Sequence, residues 1–241
     1  MELLYMLLQY LLIILAFVIL ANCIKIVFFK RKMEKSNYQS VSGNNLWKTL
    51  FNRGNYGEFL TFAILEELRE DKILTNIYLP SNSEETTEID LLMVNKTGIY
   101  VFESKNYSGW IFGNEKNKMW TQSLKGGLKN KFFNPIWQNK AHITALDNYL
   151  DKKYSKYIYS YIVFSERCEL KKIEVKSENV TVIKRNDLIK SLNNRTAQLD
   201  AVLTEQEING IYESLKKKTL VDDITKQKHI HDIKKKLNAN G

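Results

Sequence analysis

Cysteine and histidine are scarce in this chain. Its 241 residues include two cysteines and three histidines, too few for a disulfide framework or a cysteine-rich zinc site. Cys23 falls in an apolar N-terminal run and Cys168 is expected in a charged loop; such sparing use of thiols fits a reducing compartment. No HExxH pattern occurs, and His229 and His231 stand two apart, on different faces of any helix, so they read as solvated. Neither GxxxxGK followed by Ser or Thr nor a strand-linked GxGxxG is present, which removes the main support for nucleotide-binding enzymes of those types. Repeats and low-complexity tracts are also lacking. Acidic residues are in deficit: 36 Lys and Arg stand against 27 Asp and Glu, a formal charge of +9. That excess suits an anionic partner such as nucleic acid or a lipid headgroup surface. The length suits one medium α/β domain with attachments.

Apolar sequence, by contrast, is concentrated at the N-terminus. Across residues 3–29 only Gln9, Asn22 and Lys25 interrupt the run. As a helix, residues 3–23 are long enough to cross the roughly 30 Å hydrocarbon core of a bilayer. A cleaved signal peptide has a shorter apolar region preceded by basic residues, whereas here the basic residues follow. Lys25, Lys30, Arg31, Lys32 and Lys35 come after the span and Glu2 before it, so the positive-inside bias places the C-terminal side in the cytoplasm. The expected organisation is a transmembrane anchor at 1–30, a polar linker at 31–45, a folded domain at 46–195 and a basic helical tail at 196–241.

Within the domain, Leu60, Ile64 and Leu68 recur at a spacing of four and predict a helix over about 57–69, with Glu58 in its first turn. The apolar "ILTNIYL" follows, then a loop, then "IDLLMV" and "IYVFESK" around "NKTG", which read as a hairpin. "WIF" and "MWTQ" around "GNEKNK" suggest another. Asn134 and Pro135 look like the N-cap and first position of a helix reaching about Leu150, with Gln138, His142, Ala145 and Tyr149 on one face. "YSYIVFS" and "NVTVIK" read as strands, the first apolar enough to be central. "NDLIKSL" starts a short helix, and Thr204 with Glu207 makes a capping box for one ending near Leu215.

The hairpin carries the charges of interest. With "NKTG" as its loop, Val94 pairs with Ile99 and Asp90 falls opposite Glu103, two like charges whose Cβ atoms are then roughly 5 Å apart. Lys105 lies on the same face, and a divalent cation between the carboxylates would neutralise them better than one ammonium. The simpler alternative is an exposed ion-pair cluster contributing under about 1 kcal/mol. The chemical alternative is metal-assisted phosphodiester hydrolysis, which needs oxygen ligands for Mg²⁺, an adjacent lysine and a further acid from a nearby helix.

In that order, Glu58 on a helix, Asp90 on a strand and Glu103-x-Lys105 on its hairpin partner resemble the PD-(D/E)XK nuclease superfamily. "GNYGEFLTFAILEEL", the hairpin through "MWTQ", "NPIWQNKAHITAL" and "YIVFS" resemble its nuclease-related (NERD) domain over about residues 54–165. The resemblance implies a restriction-endonuclease-like α/β fold, a mixed central sheet flanked by helices, here preceded by one transmembrane helix. It implies that Asp90, Glu103 and the backbone carbonyl of Ser104 hold Mg²⁺ or Mn²⁺, that Lys105 positions the attacking water, that Glu58 assists the metal or its water shell, and that Gln138 binds substrate or orients Lys105. Two positions depart from the pattern: Ile89 precedes Asp90 in place of proline, and His142 stands where some relatives have tyrosine. A lone histidine on such a face is more often structural than catalytic.

The segment from Lys105 to Phe133 reads as a nucleic-acid surface. Asn106, Tyr107, Trp110 and Trp120 offer polar and stacking contacts, and Lys116, Lys118, Lys125, Lys129 and Lys131 offer phosphate contacts. Alternatively, the tryptophans pack the core and the lysines form a solvated rim. The function expected is a membrane-anchored, metal-dependent nuclease acting on DNA or RNA. The alternative is a catalytically silent module that binds nucleic acid or recruits partners at the membrane.

Overall fold

Apolar runs of two kinds, alternating and continuous, build two sheets. The computed structural model describes residues 1–68, 72–81 and 86–219. Its helices are α1 (Glu2–Glu34), α2 (Tyr38–Ser42), α3 (Leu46–Phe51), α4 (Arg53–Leu65), α5 (Pro135–Tyr149), α6 (Leu188–Ala197) and α7 (Glu205–Lys216). Its strands are β1 (Lys72–Pro80), β2 (Thr86–Asn95), β3 (Gly98–Lys105), β4 (Gly109–Asn114), β5 (Met119–Ser123), β6 (Lys129–Phe133), β7 (Ile158–Phe164), β8 (Cys168–Glu174) and β9 (Val180–Lys184). The larger sheet has the order β1-β2-β3-β7-β9, antiparallel as far as β3 and parallel beyond it. The smaller one runs β6-β5-β4-β8.

Side chains alternate across each strand, so the larger sheet has two apolar faces. On one, Leu92, Val94, Ile99 and Val101 pack with Ala145 and Leu146 of α5 and with Ile208, Ile211 and Leu215 of α7. On the other, Leu91, Met93, Tyr100 and Phe102 pack with Phe59, Phe62 and Leu65 of α4 and with Leu188 and Leu192 of α6. β7 is buried along its whole length, Ser160 included, as its largely apolar sequence predicts for a central strand. The mixed sheet flanked by helices is thus the fold class expected from the sequence.

The β2–β3 register is the expected one, Val94 opposite Ile99, although the turn proper is only Lys96-Thr97. Asn95 Oδ1 closes it by accepting from the Thr97 amide and hydroxyl at 3.0 and 2.8 Å. Gly98 follows at φ 143°, where a Cβ would meet the Tyr157 carbonyl oxygen at 2.4 Å, so only glycine fits.

Several local expectations are corrected. Asn52 caps α4 by accepting from the Gly54 and Asn55 amides, so the helix starts at Arg53 and Glu58 sits in its second turn. Cys168 is a buried residue opening β8 rather than part of a charged loop. The polar segment 31–45 does not hang free. Tyr38 is fully buried with its ring against Phe59 and Phe62, and Glu66 accepts hydrogen bonds from the Ser36 hydroxyl and the Asn37 amide. Its polar residues are there to satisfy these buried contacts. α7 is likewise part of the core, through its contacts with β1 and β2. The remaining tail, beyond residue 219, and part of the loop expected after Pro80 lie outside the described residues.

α1 is 33 residues long and apolar enough to cross a membrane. Its far end is docked: Phe29 and Met33 are buried, with the Phe29 ring stacked on Tyr56 at 5.2 Å and edge-on to Phe59 at 5.1 Å.

Candidate active site

β3 ends in "ESK", and the alternation of the strand turns Glu103 and Lys105 toward α5 and Ser104 toward α4. Glu103 is only 1% exposed, which excludes the exposed ion-pair alternative. Lys105 Nζ lies 2.7 Å from Glu103 Oε1 and donates to Gln138 Oε1 at 2.9 Å. Glu103 Oε2 faces His142 Nε2 at 3.2 Å without the alignment of a hydrogen bond, and both atoms are buried with no hydrogen-bond partner. His142 Nδ1 is 2.6 Å from Thr87 Oγ1. Gln138 and His142 reach the same carboxylate neighbourhood because they stand four apart on α5.

α5 is pinned at both ends of this contact. The Asn134 side chain caps the Ile136 amide and donates to the carbonyls of Asn114, Glu115 and Asn117, while Asn139 donates to the Val101 carbonyl and the Ser160 hydroxyl. The "NPIWQN" stretch therefore fixes the height of Gln138 above β3.

Asp90 comes from β2, one step beyond the Leu91–Phe102 pair. Its Oδ2 accepts from the Ser104 amide at 3.2 Å, and its carbonyl accepts from the Thr75 hydroxyl at 2.7 Å. Glu58 enters from α4, half-buried. Burial first, and then the charges of Glu88 and Glu103, push its carboxyl up to about 8, with Tyr38 and Lys105 only partly offsetting them. Asp90 is also raised well above the usual range, by burial and then by Glu103 and Glu58. Glu103 moves the other way. Burial would raise it, but Lys105 and then His142 outweigh that and hold it below its ordinary value. Burial would lower Lys105, yet Glu103 and Asp90 keep it above its ordinary value, a committed cation.

The structure thus brings together Glu58, Asp90, Glu103, Lys105 and Gln138. It adds three residues that sequence reasoning left out of the site. His142 faces the outer oxygen of Glu103 and is itself held by Thr87. Glu88 sits two before Asp90, hence on the same strand face, and its Oε1 accepts from the Tyr78 hydroxyl at 2.6 Å. The strand period alone could have found Glu88; nothing in the sequence signals the Thr87–His142 contact.

The expected nucleic-acid surface is only partly available. Trp120 is buried and stacked on Phe164, with an interplanar angle of 7°, so it cannot receive a base. Tyr107 is half-buried against Phe132 at 4.6 Å. Asn106 donates to the Arg53 carbonyl and accepts from Arg167 at 2.8 Å. Trp110 is exposed, with Lys171 over its ring. Lys125 and Lys129 are exposed near the turn between β5 and β6, on the second sheet.

The metal implied by the sequence resemblance is compatible with these residues. Asp90 and Glu103 supply hard oxygen donors, one Glu103 oxygen lacks a hydrogen-bond partner, and Asp90 is destabilised by its neighbours' charge in a way a cation would relieve. Among the described residues no three His, Cys, Asp or Glu side chains form a ready metal cluster. That suits Mg²⁺, which keeps several waters and takes one or two carboxylates.

Comparison with known proteins identifies the family. A family model described as nuclease-related domain, NERD, matches residues 53–165, a span holding every acid, lysine, glutamine and histidine named in the cluster. The chain is 32% identical over 187 residues to an uncharacterized protein of Bacillus anthracis, a match covering 77% of this chain and 85% of that relative. No solved structure matches the chain significantly.

Proposed function

The chain belongs to the nuclease-related domain family, and from that premise we propose that it is a divalent-metal-dependent phosphodiesterase cutting DNA or RNA, anchored in a membrane by α1 with its domain in the cytoplasm. The observation that carries the reading is a buried Glu103 paired with Lys105 at 2.7 Å, with Asp90 Oδ2 on the amide of the intervening Ser104. A buried ion pair of this kind adds little net stability over an apolar replacement, so chemistry is the better account of its presence.

Asp90, Glu103 and the Ser104 carbonyl would hold Mg²⁺ or Mn²⁺, which when bound lowers the pKa of a water and offsets charge developing on a phosphate. Lys105 stays protonated and so is no general base. Its ammonium, fixed between Glu103 and Gln138, donates hydrogen bonds to the attacking water or to a phosphoryl oxygen. Gln138 keeps that ammonium from swinging away. Glu58, reaching these groups from α4, would assist the metal or its water shell, and without a cation its carboxyl is held at about 8. Asn106, Tyr107, Lys125 and Lys129 remain the proposed contacts to the nucleic-acid strand.

The test uses the full chain in detergent, since Phe29 and Met33 belong to the core and a fragment starting at Ser36 would lose them. Labelled single- and double-stranded DNA and RNA are incubated with Mg²⁺ or Mn²⁺, beside Glu103→Ala. Metal-dependent products absent from the variant are expected. A folded chain that binds nucleic acid yet never cuts it under either cation would assign it instead to the non-cleaving modules.

A further inference from the structure

We propose that α3 is a membrane-interface element: the stacked rings of Trp47 and Phe51, flanked by Lys48 and Arg53, sit at the headgroup level of the anionic bilayer that α1 crosses. The inference rests on the membrane anchoring proposed above and adds how the domain meets the lipid.

Distance along α1 sets the argument. At about 1.5 Å per residue, residues 3–23 span roughly 31 Å, close to the hydrocarbon thickness. Phe29 then lies about 9 Å further along the helix, where each headgroup layer is only roughly 5–8 Å deep. Phe29 is also where the domain begins, because its ring is stacked on Tyr56 and edge-on to Phe59 of α4. No spacer separates the lipid surface from this side of the domain.

α3 belongs to that side. It immediately precedes α4 and packs on it, and its Leu46 and Leu50 join the same apolar cluster as Phe29 and Tyr56. The adjoining face of this short helix carries Trp47 and Phe51, which are 55% and 76% exposed. Single exposed aromatics are ordinary on soluble proteins. Here two rings one turn apart are stacked on each other, centroids 5.8 Å apart and 11° from parallel, and both stay exposed among the described residues. Tryptophan is enriched where an apolar body meets a wet headgroup layer.

Charge agrees with the placement. Lys30, Arg31, Lys32, Lys35, Lys48 and Arg53 surround the junction. Of the acids nearby, Glu34 is paired with Lys30 at 3.7 Å and Glu66 accepts from Ser36 and Asn37. Each basic residue near an anionic surface adds to the attraction. The consequence for function is orientation: Glu58 follows Tyr56 in the same helix, so a seated α3 fixes the acid cluster at a set height and tilt over the membrane.

The experiment reconstitutes the full chain into vesicles of phosphatidylethanolamine and phosphatidylglycerol, with and without lipids brominated near the headgroup end of the acyl chains. Bromine is expected to quench part of the tryptophan fluorescence of the wild type, and that part is expected to vanish in Trp47→Phe while persisting in Trp110→Phe. Flotation of the same vesicles reports the anchor separately. A chain that does not float overturns both the anchor and this surface. A chain that floats but shows equal quenching in wild type and Trp47→Phe overturns this surface alone. So does a Trp47 shielded from acrylamide yet untouched by bromolipid, which would assign the ring pair to a protein contact such as a second copy.

Discussion

Raising the pH from about 5 to 8 in the absence of a divalent cation should destabilise this protein, contrary to the usual behaviour of paired carboxylates. The cause is Glu58, whose carboxyl is held at about 8 in the folded state against an ordinary value of 4.5. Below 4.5 it is protonated in folded and unfolded chains alike, and its contribution to stability is fully present. Between 4.5 and 8 the unfolded chain releases the proton and the folded chain retains it, so each pH unit favours unfolding by about 1.4 kcal/mol. Because some of this is lost before pH 5 and the folded group is half ionised at pH 8, the change between pH 5 and 8 amounts to about 3.5 kcal/mol. Asp90 is raised in the same sense and shares the same repulsion, so the two effects overlap rather than add. Glu103 and Glu207 are lowered and act with the opposite sign, but only as pH falls below about 4.5, outside the window.

For a chain of this size, about 3.5 kcal/mol corresponds to a fall of about 7 °C or more in Tm. Thermal unfolding followed by circular dichroism, on the full chain in detergent with EDTA between pH 5 and 8, measures it directly. Glu58→Gln should flatten the slope. Mg²⁺ should flatten it in the wild type as well, because a cation among the carboxylates favours their ionised forms. A Tm that is constant or rising over this range in EDTA, or a Glu58→Gln slope equal to the wild type, would refute the reasoning.

Two further substitutions probe how the site is held. Gly57→Ala would place a Cβ 2.9 Å from Asn106 Cβ, beside both Glu58 and the end of β3. We expect a loss of about 1–3 kcal/mol in denaturant unfolding together with a fall in kcat on the order of 10²-fold, since α4 and β3 must part. Trp120→Ala should cost about 3–5 kcal/mol by the same measurement, whereas Trp110→Ala on the exposed face of the same hairpin should stay within about 0.5 kcal/mol.

The legible parts of the sequence were those in which one physical rule governs a whole element. Strand alternation gave the β2–β3 register as far as the Leu91–Phe102 pair and the shared face of Glu103 and Lys105, whereas Asp90 lies beyond the paired ladder. An Asn-Pro start and a four-residue spacing gave α5 and the face of Gln138 and His142. β6 and β8 were not legible, because "KNKFF" and "CELKKIE" expose lysines along much of their length and lack a clear apolar period. Nor was the wrapping of residues 31–45, whose polar side chains read as linker but serve as hydrogen-bond partners for Glu66 and for one another. Trp110 and Trp120 show the same limit within one hairpin. Composition offers both as base-stacking rings, and only the packing of β4 and β5 against Phe164 sends one inward and leaves the other outside.

The position of the site in the sheet accounts for its order. β3 is the strand at which antiparallel pairing gives way to parallel, so its last residues stand level with the carboxyl ends of β7 and β9, where α/β sheets commonly present ligand-binding groups. Those last residues are gripped from both faces. Glu103 and Lys105 are tied to Gln138 and His142 of α5, while the intervening Ser104 hydroxyl meets Thr61 of α4 at 3.2 Å. Thr61 in turn accepts from Arg185, the first residue after β9, whose other arm reaches Glu166 just beyond β7. Asn106, next after β3, is held by Arg167 and by the Arg53 carbonyl at the start of α4. A strand end that would fray if exposed is therefore fixed by α4, α5 and the ends of two neighbouring strands. This support sets the acid–lysine spacing independently of any ligand, which is the pre-organisation that the proposed phosphodiester chemistry would require.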